Sequence, residues 1–251
     1  MLKLENVKVT FHKNTPDERD ALKALSLTLE DGDFVSVLGS NGAGKSTLLH
    51  AICGEVEITG GKIMLDDIDI TYMDEHKRSR YIGTLFQDPM KGTAPHLTIE
   101  ENLALAYCHN KYSVFKKGIS KQDHNFFYEC LKQLNLGLEE RMQSQVGLLS
   151  GGQRQALTLL MATITPPKLL MLDEHTAALD PKTALQVMDL TDTIIKRSKI
   201  TTMMITHNLK QAQSYGNKTI ILQDGKIVNI LEGKERDEMS IEKLITFYDI
   251  H

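Results

Sequence analysis

Apolar and polar residues alternate from the first positions of the chain. Leu2, Leu4, Val7 and Val9 carry the apolar side, which predicts a half-buried strand over 2–10. Residues 12–20 are polar, contain Pro16, and read as a loop or hairpin tip. Alternation returns over 25–29. The turn signal Asp31-Gly32-Asp33 follows, and then Phe34-Val35-Ser36-Val37-Leu38, a short run that predicts a buried strand. A glycine-rich stretch leads into a helical pattern over 45–53, and Gly60-Gly61 marks a turn before a strand at 62–65. Beyond 98 the period changes. Ile99, Leu103 and Ala106, then Phe126, Phe127, Cys130, Leu131 and Leu134, recur at helical spacing, interrupted by Lys116-Lys117-Gly118.

Gly151-Gly152 precedes a long helix pattern over 153–164, which Pro166-Pro167 ends. Strands are predicted at 169–172, 201–205 and 219–222, with helices over 181–197 and 208–215 between them. Strands alternating with helices imply an α/β chain with a largely parallel sheet, interrupted by a mostly helical insertion. The last segment holds a strand at 227–231 and an amphipathic helix carrying Ile241, Leu244, Ile245 and Tyr248, expected to pack on the core. No internal repeat and no low-complexity segment is evident.

Composition narrows the class. The chain is 41% hydrophobic over 251 residues, enough for a sizeable core, which excludes a disordered chain. Lys+Arg total 29 against 33 Asp+Glu, a net charge of -4, so nucleic acid is not expected as a partner. No apolar run approaches the roughly 18 residues of a membrane span. The start, Met1-Leu2-Lys3-Leu4-Glu5, lacks the layout of a secretory signal. Cys53, Cys108 and Cys130 have no metal-like spacing and suit reduced thiols in a cytosol.

Two stretches carry chemistry. Gly39-Ser40-Asn41-Gly42-Ala43-Gly44-Lys45-Ser46 matches G-x-x-x-x-G-K-[ST], after a predicted strand and before a predicted helix. Glycines at such positions let backbone N–H groups turn inward around phosphate oxygens, and the helix N-terminus adds partial positive charge. Lys45 would neutralise the β- and γ-phosphates, and the Ser46 hydroxyl would ligate Mg²⁺. The second stretch is Leu169-Leu170-Met171-Leu172-Asp173-Glu174, an apolar strand ending in two acids. At such a strand end Asp173 can hold Mg²⁺, and Glu174 can orient or deprotonate a water aimed at the γ-phosphate. Two solvated charges are the alternative, which the phosphate loop makes the weaker one.

Leu149-Ser150-Gly151-Gly152-Gln153 adds a second anion-binding surface at a helix start. A single chain has little use for two such sites, whereas two chains paired head to tail would sandwich two nucleotides. The set of motifs, in this order and over essentially the whole chain, resembles the ATP-binding subunit of ABC (ATP-binding cassette) transporters. The resemblance implies a P-loop NTPase core with a largely parallel sheet, an antiparallel β subdomain and a helical insertion subdomain. All would belong to one ABC ATPase domain over 1–251, with the insertion at approximately 88–165.

The resemblance also implies further roles. The loop through Thr47 binds ATP, and Gln87 is the glutamine that contacts Mg²⁺ and the attacking water. Asp180, in Ala178-Leu179-Asp180, crosses the dimer interface, with helix capping before Pro181 as a compatible second role. His207 contacts the γ-phosphate. Phe11 stacks on adenine, or is a plain core aromatic, because 12–20 is longer than the family's usual segment. His175 departs from the family, which mostly has proline there. It reads as a charged group tuning the site or as a neutral replacement. Residues 88–95 and 173–180 resemble a bacterial subgroup that accompanies substrate-binding lipoproteins and amino-acid-type permeases, with an aromatic amino acid such as tryptophan as cargo. The implied complex is an ATP-driven homodimer on separate integral-membrane permeases, with an extracytoplasmic substrate-binding protein. The chain would be cytoplasmic, on the inner face of the membrane. A soluble ABC ATPase of the iron–sulfur cluster assembly type is the alternative.

Overall fold

The structure, a computed structural model, describes residues 1–88, 90–108 and 118–246. Pro89, the Lys116-Lys117 interruption and Tyr248 lie outside the described residues. The chain forms two compact units. One comprises Met1–Ile82, Lys168–Glu174 and the chain from Lys199 onward; the other comprises Gly83–Pro167 and His175–Ser198.

The first unit holds an antiparallel sheet of order β2-β1-β4-β5, built from β1 (Leu2–Phe11), β2 (Arg19–Leu29), β4 (Gly60–Leu65) and β5 (Ile68–Asp69). β1 buries Leu2, Leu4, Val7 and Val9, and a register shift between Leu4 and Val7, where Asn6 takes φ 48°, carries the burial from even to odd positions. β2 starts at Arg19, well before the 25–29 expected. The reason is local: Ala24 takes φ 54° and the β1–β2 register shifts between Val7 and Val9, so buried Leu22 and Leu25 stand three apart. A bulge of this kind hides the period of two.

A second sheet has the order β10-β9-β3-β8-β7-β6. β3 (Phe34–Leu38) runs parallel to β8 (Thr201–Ile205) and β9 (Lys218–Gln223), and β8 runs parallel to β7 (Leu169–Asp173). β10 (Lys226–Glu232) is antiparallel to β9, and the boundary between the units falls inside β6 (Ile82–Leu85). β3 is buried along its whole length, which explains its unbroken apolar run. One cluster joins both sheets of this unit to α1 (Lys45–Cys53), through Leu48, Leu49 and Ile52. Arg78, at the end of α2 (Glu75–Arg78), donates to the carbonyls of Ala51 and Ile52 at 2.8 Å and satisfies the C-terminal end of α1. α7 (Leu209–Ser214) is held in the same way by Arg236 of α8 (Gly233–Asp237), which donates to Ala212, Gln213 and Tyr215. Leu244 of α9 (Ile241–Thr246) packs with Leu38, Ala212 and Ile221 as expected, while Ile245 is exposed.

The second unit is helical: α3 (Ile99–Cys108), α4 (Lys121–Lys132), α5 (Gly151–Thr163) and α6 (Pro181–Ser198). Its core is Ile99, Leu103, Phe127, Leu131 and Leu157 with their neighbours. The short elements β5, α2, β6 and α8 had no counterpart in the sequence reading, because two to five residues carry no readable period.

Candidate active site

Three parallel strands end side by side in the first unit, and their last residues hand over to the site. β3 ends at Leu38 and continues into the glycine loop. β7 ends at Asp173, opposite Ile205 of β8, so Glu174 and His207 emerge as neighbours. The N–H of Glu174 donates to the Ile205 carbonyl at 3.0 Å. Glu174 takes φ 45°, a left-handed conformation that side-chain-bearing residues rarely adopt. The outcome is a 2.6 Å contact between His207 Nε2 and Glu174 Oε1. The residues flanking His207 are tied to α7: Thr206 Oγ1 donates to Gln211 Oε1 at 3.0 Å, and Asn208 caps α7 through the N–H groups of Lys210 and Gln211.

The loop wraps onto α1 through Gly44, whose φ of 104° requires glycine. Space requires it as well, since a Cβ there would lie 2.7 Å from the Ala21 carbonyl oxygen. Ala43 O accepts from Gly225 N at 2.9 Å, which anchors the loop to the β9–β10 turn. Lys45 is buried and donates to the carbonyls of Gly39 (2.7 Å) and Ser40 (3.0 Å). Burial pushes its pKa down, and the carboxylates of Glu174 and Asp173 pull it partly back. The hydrogen bonds of this ammonium go to neutral backbone carbonyls, so anionic phosphate oxygens are better partners for it.

Phe11, Asn41, Gly42, Gly44, Lys45, Ser46, Thr47 and His207 line one open cleft, joined by Arg19 and Ala21. Phe11 closes β1 with 37% of its surface exposed, so it is not a core aromatic. Arg19 falls in the 12–20 stretch that reads as a loop, and Ala21 lies just beyond it, so no motif marks either residue.

The other predicted residues sit in the second unit. Gln87 and Asp180 are exposed. Ser150 caps α5: its Oγ accepts from Gln153 N at 3.3 Å, and Gln153 Oε1 accepts from Ser150 N at 3.2 Å. This capping box starts the helix two residues earlier than the 153 expected. Gly152 meets α6, where a Cβ would lie 2.2 Å from Thr183 Cγ2. The glycine pair therefore has a packing reason beside any anion. Asp180 Oδ1 accepts from Thr183 N at 3.1 Å, the expected cap of α6. His175 is buried, its Nε2 3.4 Å from Thr191 Oγ1, and burial lowers its pKa to about 4. It is neutral at physiological pH, so the charged reading of His175 falls.

The family described as "ABC transporter" matches residues 22–177. A "Tyrosine transport ATP-binding protein" of Clostridioides difficile is 41% identical over 249 residues, 99% of each chain. A "Methionine import ATP-binding protein MetN" of Streptococcus agalactiae is 34% identical over 96% of this chain, which spans 66% of that relative's length. Among solved structures, the ADP conformation of MJ1267, an ATP-binding cassette of an ABC transporter, superposes with TM-score 0.81 at 26% identity, covering 100% of this chain and 99% of that one. The dimeric post-hydrolysis state of the cassette MJ0796, bound to ADP and Pi, superposes with TM-score 0.77 at 30% identity over 92% of this chain and 98% of its own.

Proposed function

Because the chain belongs to the ABC transporter family of ATP-binding subunits and is an ABC-type ATPase, we propose that it powers a bacterial importer as a dimer closing on ATP. The observation that carries this reading is the Glu174–His207 contact in the unit that also holds Lys45 at the start of α1. The N–H groups around Gly44 and the α1 N-terminus receive phosphate oxygens, and Lys45 moves from the Gly39 and Ser40 carbonyls onto the β- and γ-phosphates. Glu174 takes the proton of the attacking water, and His207 orients Glu174 and reaches the γ-phosphate. Gln87 completes the placement of that water.

Mg²⁺ fits the donors present. Ser46 and Asp173 offer two hard oxygen ligands, and among the described residues no cluster of three His, Cys, Asp or Glu forms a protein cage. That donor set suits a cation arriving with nucleotide phosphates, and it supplies neutralisation of charge at the phosphates. Ser150, Gly151, Gly152 and Gln153 of one copy, with Asp180, cover the nucleotide of the other copy.

The relatives named for tyrosine and methionine support an amino-acid cargo, and the tyrosine relative, matched over its full length, favours an aromatic one such as tryptophan. Among the described residues no helix is long and apolar enough to cross a membrane. Integral-membrane permease subunits and a substrate-binding protein would complete the complex, with this chain on the cytoplasmic face. The test uses Glu174→Gln. ATP turnover should fall at least about 100-fold with ATP binding retained. The tagged variant, solubilised from its native cell with Mg-ATP, should retain a polytopic membrane protein. Normal turnover refutes the role of Glu174, and soluble scaffold proteins alone refute the transporter reading.

A further inference from the structure

We propose that Arg19 contacts the nucleotide directly, donating to the α-phosphate as a second cation beside Lys45; this rests on the nucleotide reading of the cleft. Arg19 opens β2 and pairs in register with Phe11, the last residue of β1. Both line the cleft with Gly42, Lys45, Ser46 and Thr47. Phe11 is the cross-strand neighbour of Arg19. Toward the loop, Nη2 of Arg19 lies 3.4 Å from the Gly42 carbonyl oxygen. With Phe11 proposed to carry the base and the loop proposed to hold the β- and γ-phosphates, a guanidinium set between them is placed for the α-phosphate.

The structural reasons for an arginine here are weak. Its contact with Gly42 is long for a hydrogen bond and uses one of five donors. Among the described residues no carboxylate pairs with Arg19 within salt-bridge distance, whereas Arg78 and Arg236 spend their donors on buried carbonyls. The guanidinium comes close to the loop backbone, since a Cβ at Gly42 would sit 3.3 Å from Nη2. An exposed cation with most donors unspent, facing a phosphate loop, matches a planar phosphate-binding fork.

The test is calorimetric titration of the whole chain with Mg-ADP and Mg-2′-deoxy-ADP, using the parent, Arg19→Ala and Lys45→Ala. Arg19→Ala should weaken both nucleotides alike, by about tenfold or more, as loss of a charge-assisted hydrogen bond requires. Affinity within twofold of the parent would overturn the proposal. So would a loss confined to ADP, which would make the 2′-hydroxyl the partner. Failure of the parent to bind Mg-ADP, or full binding by Lys45→Ala, would instead overturn the nucleotide reading on which the proposal rests.

Discussion

Phe11 and His175 show how much one position depends on its surroundings. Both are aromatic rings next to the proposed chemistry in sequence or space. Phe11 ends an exposed strand tip and lines the cleft, whereas His175 is buried beside Thr191, and burial lowers its pKa to about 4. If Phe11 is the adenine platform, Phe11→Ala should raise the Kd for Mg-ATP about tenfold, because base–aromatic stacking contributes about 1–3 kcal/mol per base. Phe11→Trp should hold the parent value, and equal affinity in all three proteins would remove Phe11 from the site. The strain at Glu174 belongs to this scale too. Its left-handed backbone is what turns the carboxylate toward His207, at a cost of about 1–2 kcal/mol that the flanking strand bonds offset.

Elements are held where they are by buried polar groups that cross between them. Asp33, at the start of β3, accepts from Glu30 N and Asn217 Nδ2 at 2.8 Å and pairs with Lys218 of β9 at 2.9 Å. Burial alone would raise its pKa; the bonds to Lys218, Asn217 and Glu30 outweigh that and hold it below the usual carboxylate value. A depressed carboxylate stabilises the fold above its unfolded pKa, near 4, and loses that contribution as pH falls through the folded value. Asp33→Asn should therefore cost about 2–3 kcal/mol at pH 7. Urea midpoints of parent and variant should converge as the pH is lowered below 4, and a gap independent of pH would exclude the charge as the cause. The knot fixes β3 against β9 at the ends opposite the glycine loop, so its effect on turnover should be smaller than its effect on stability.

For the whole molecule, the proposed function needs two copies. Ser150 allows cap and contact to be separated. Asp is as good an N-cap as Ser, so Ser150→Asp should keep the urea midpoint within about 0.5 kcal/mol of the parent. It also places a carboxylate where a partner's γ-phosphate would bind. In the Glu174→Gln background, ATP-induced dimers seen by light scattering should disappear, and dimers that persist would take Ser150 out of the interface. The phosphate loop, the acidic strand end and Ser150-Gly151-Gly152-Gln153 were legible in the sequence because each is a contiguous run whose chemistry lies in its own backbone and spacing. The parallel core was legible because strands buried on both faces are written as unbroken apolar runs. Arg19 in the cleft, the start of β2, the Glu174–His207 contact and the membership of α6 in the helical unit were decided by tertiary structure. Each depends on partners far apart in the chain: a bulge shifts the register, parallel pairing sets Asp173 beside Ile205, and packing buries one histidine while leaving another beside a carboxylate. Local pattern is fixed by nearest-neighbour sterics and burial, and long-range register is fixed only when the sheet has closed.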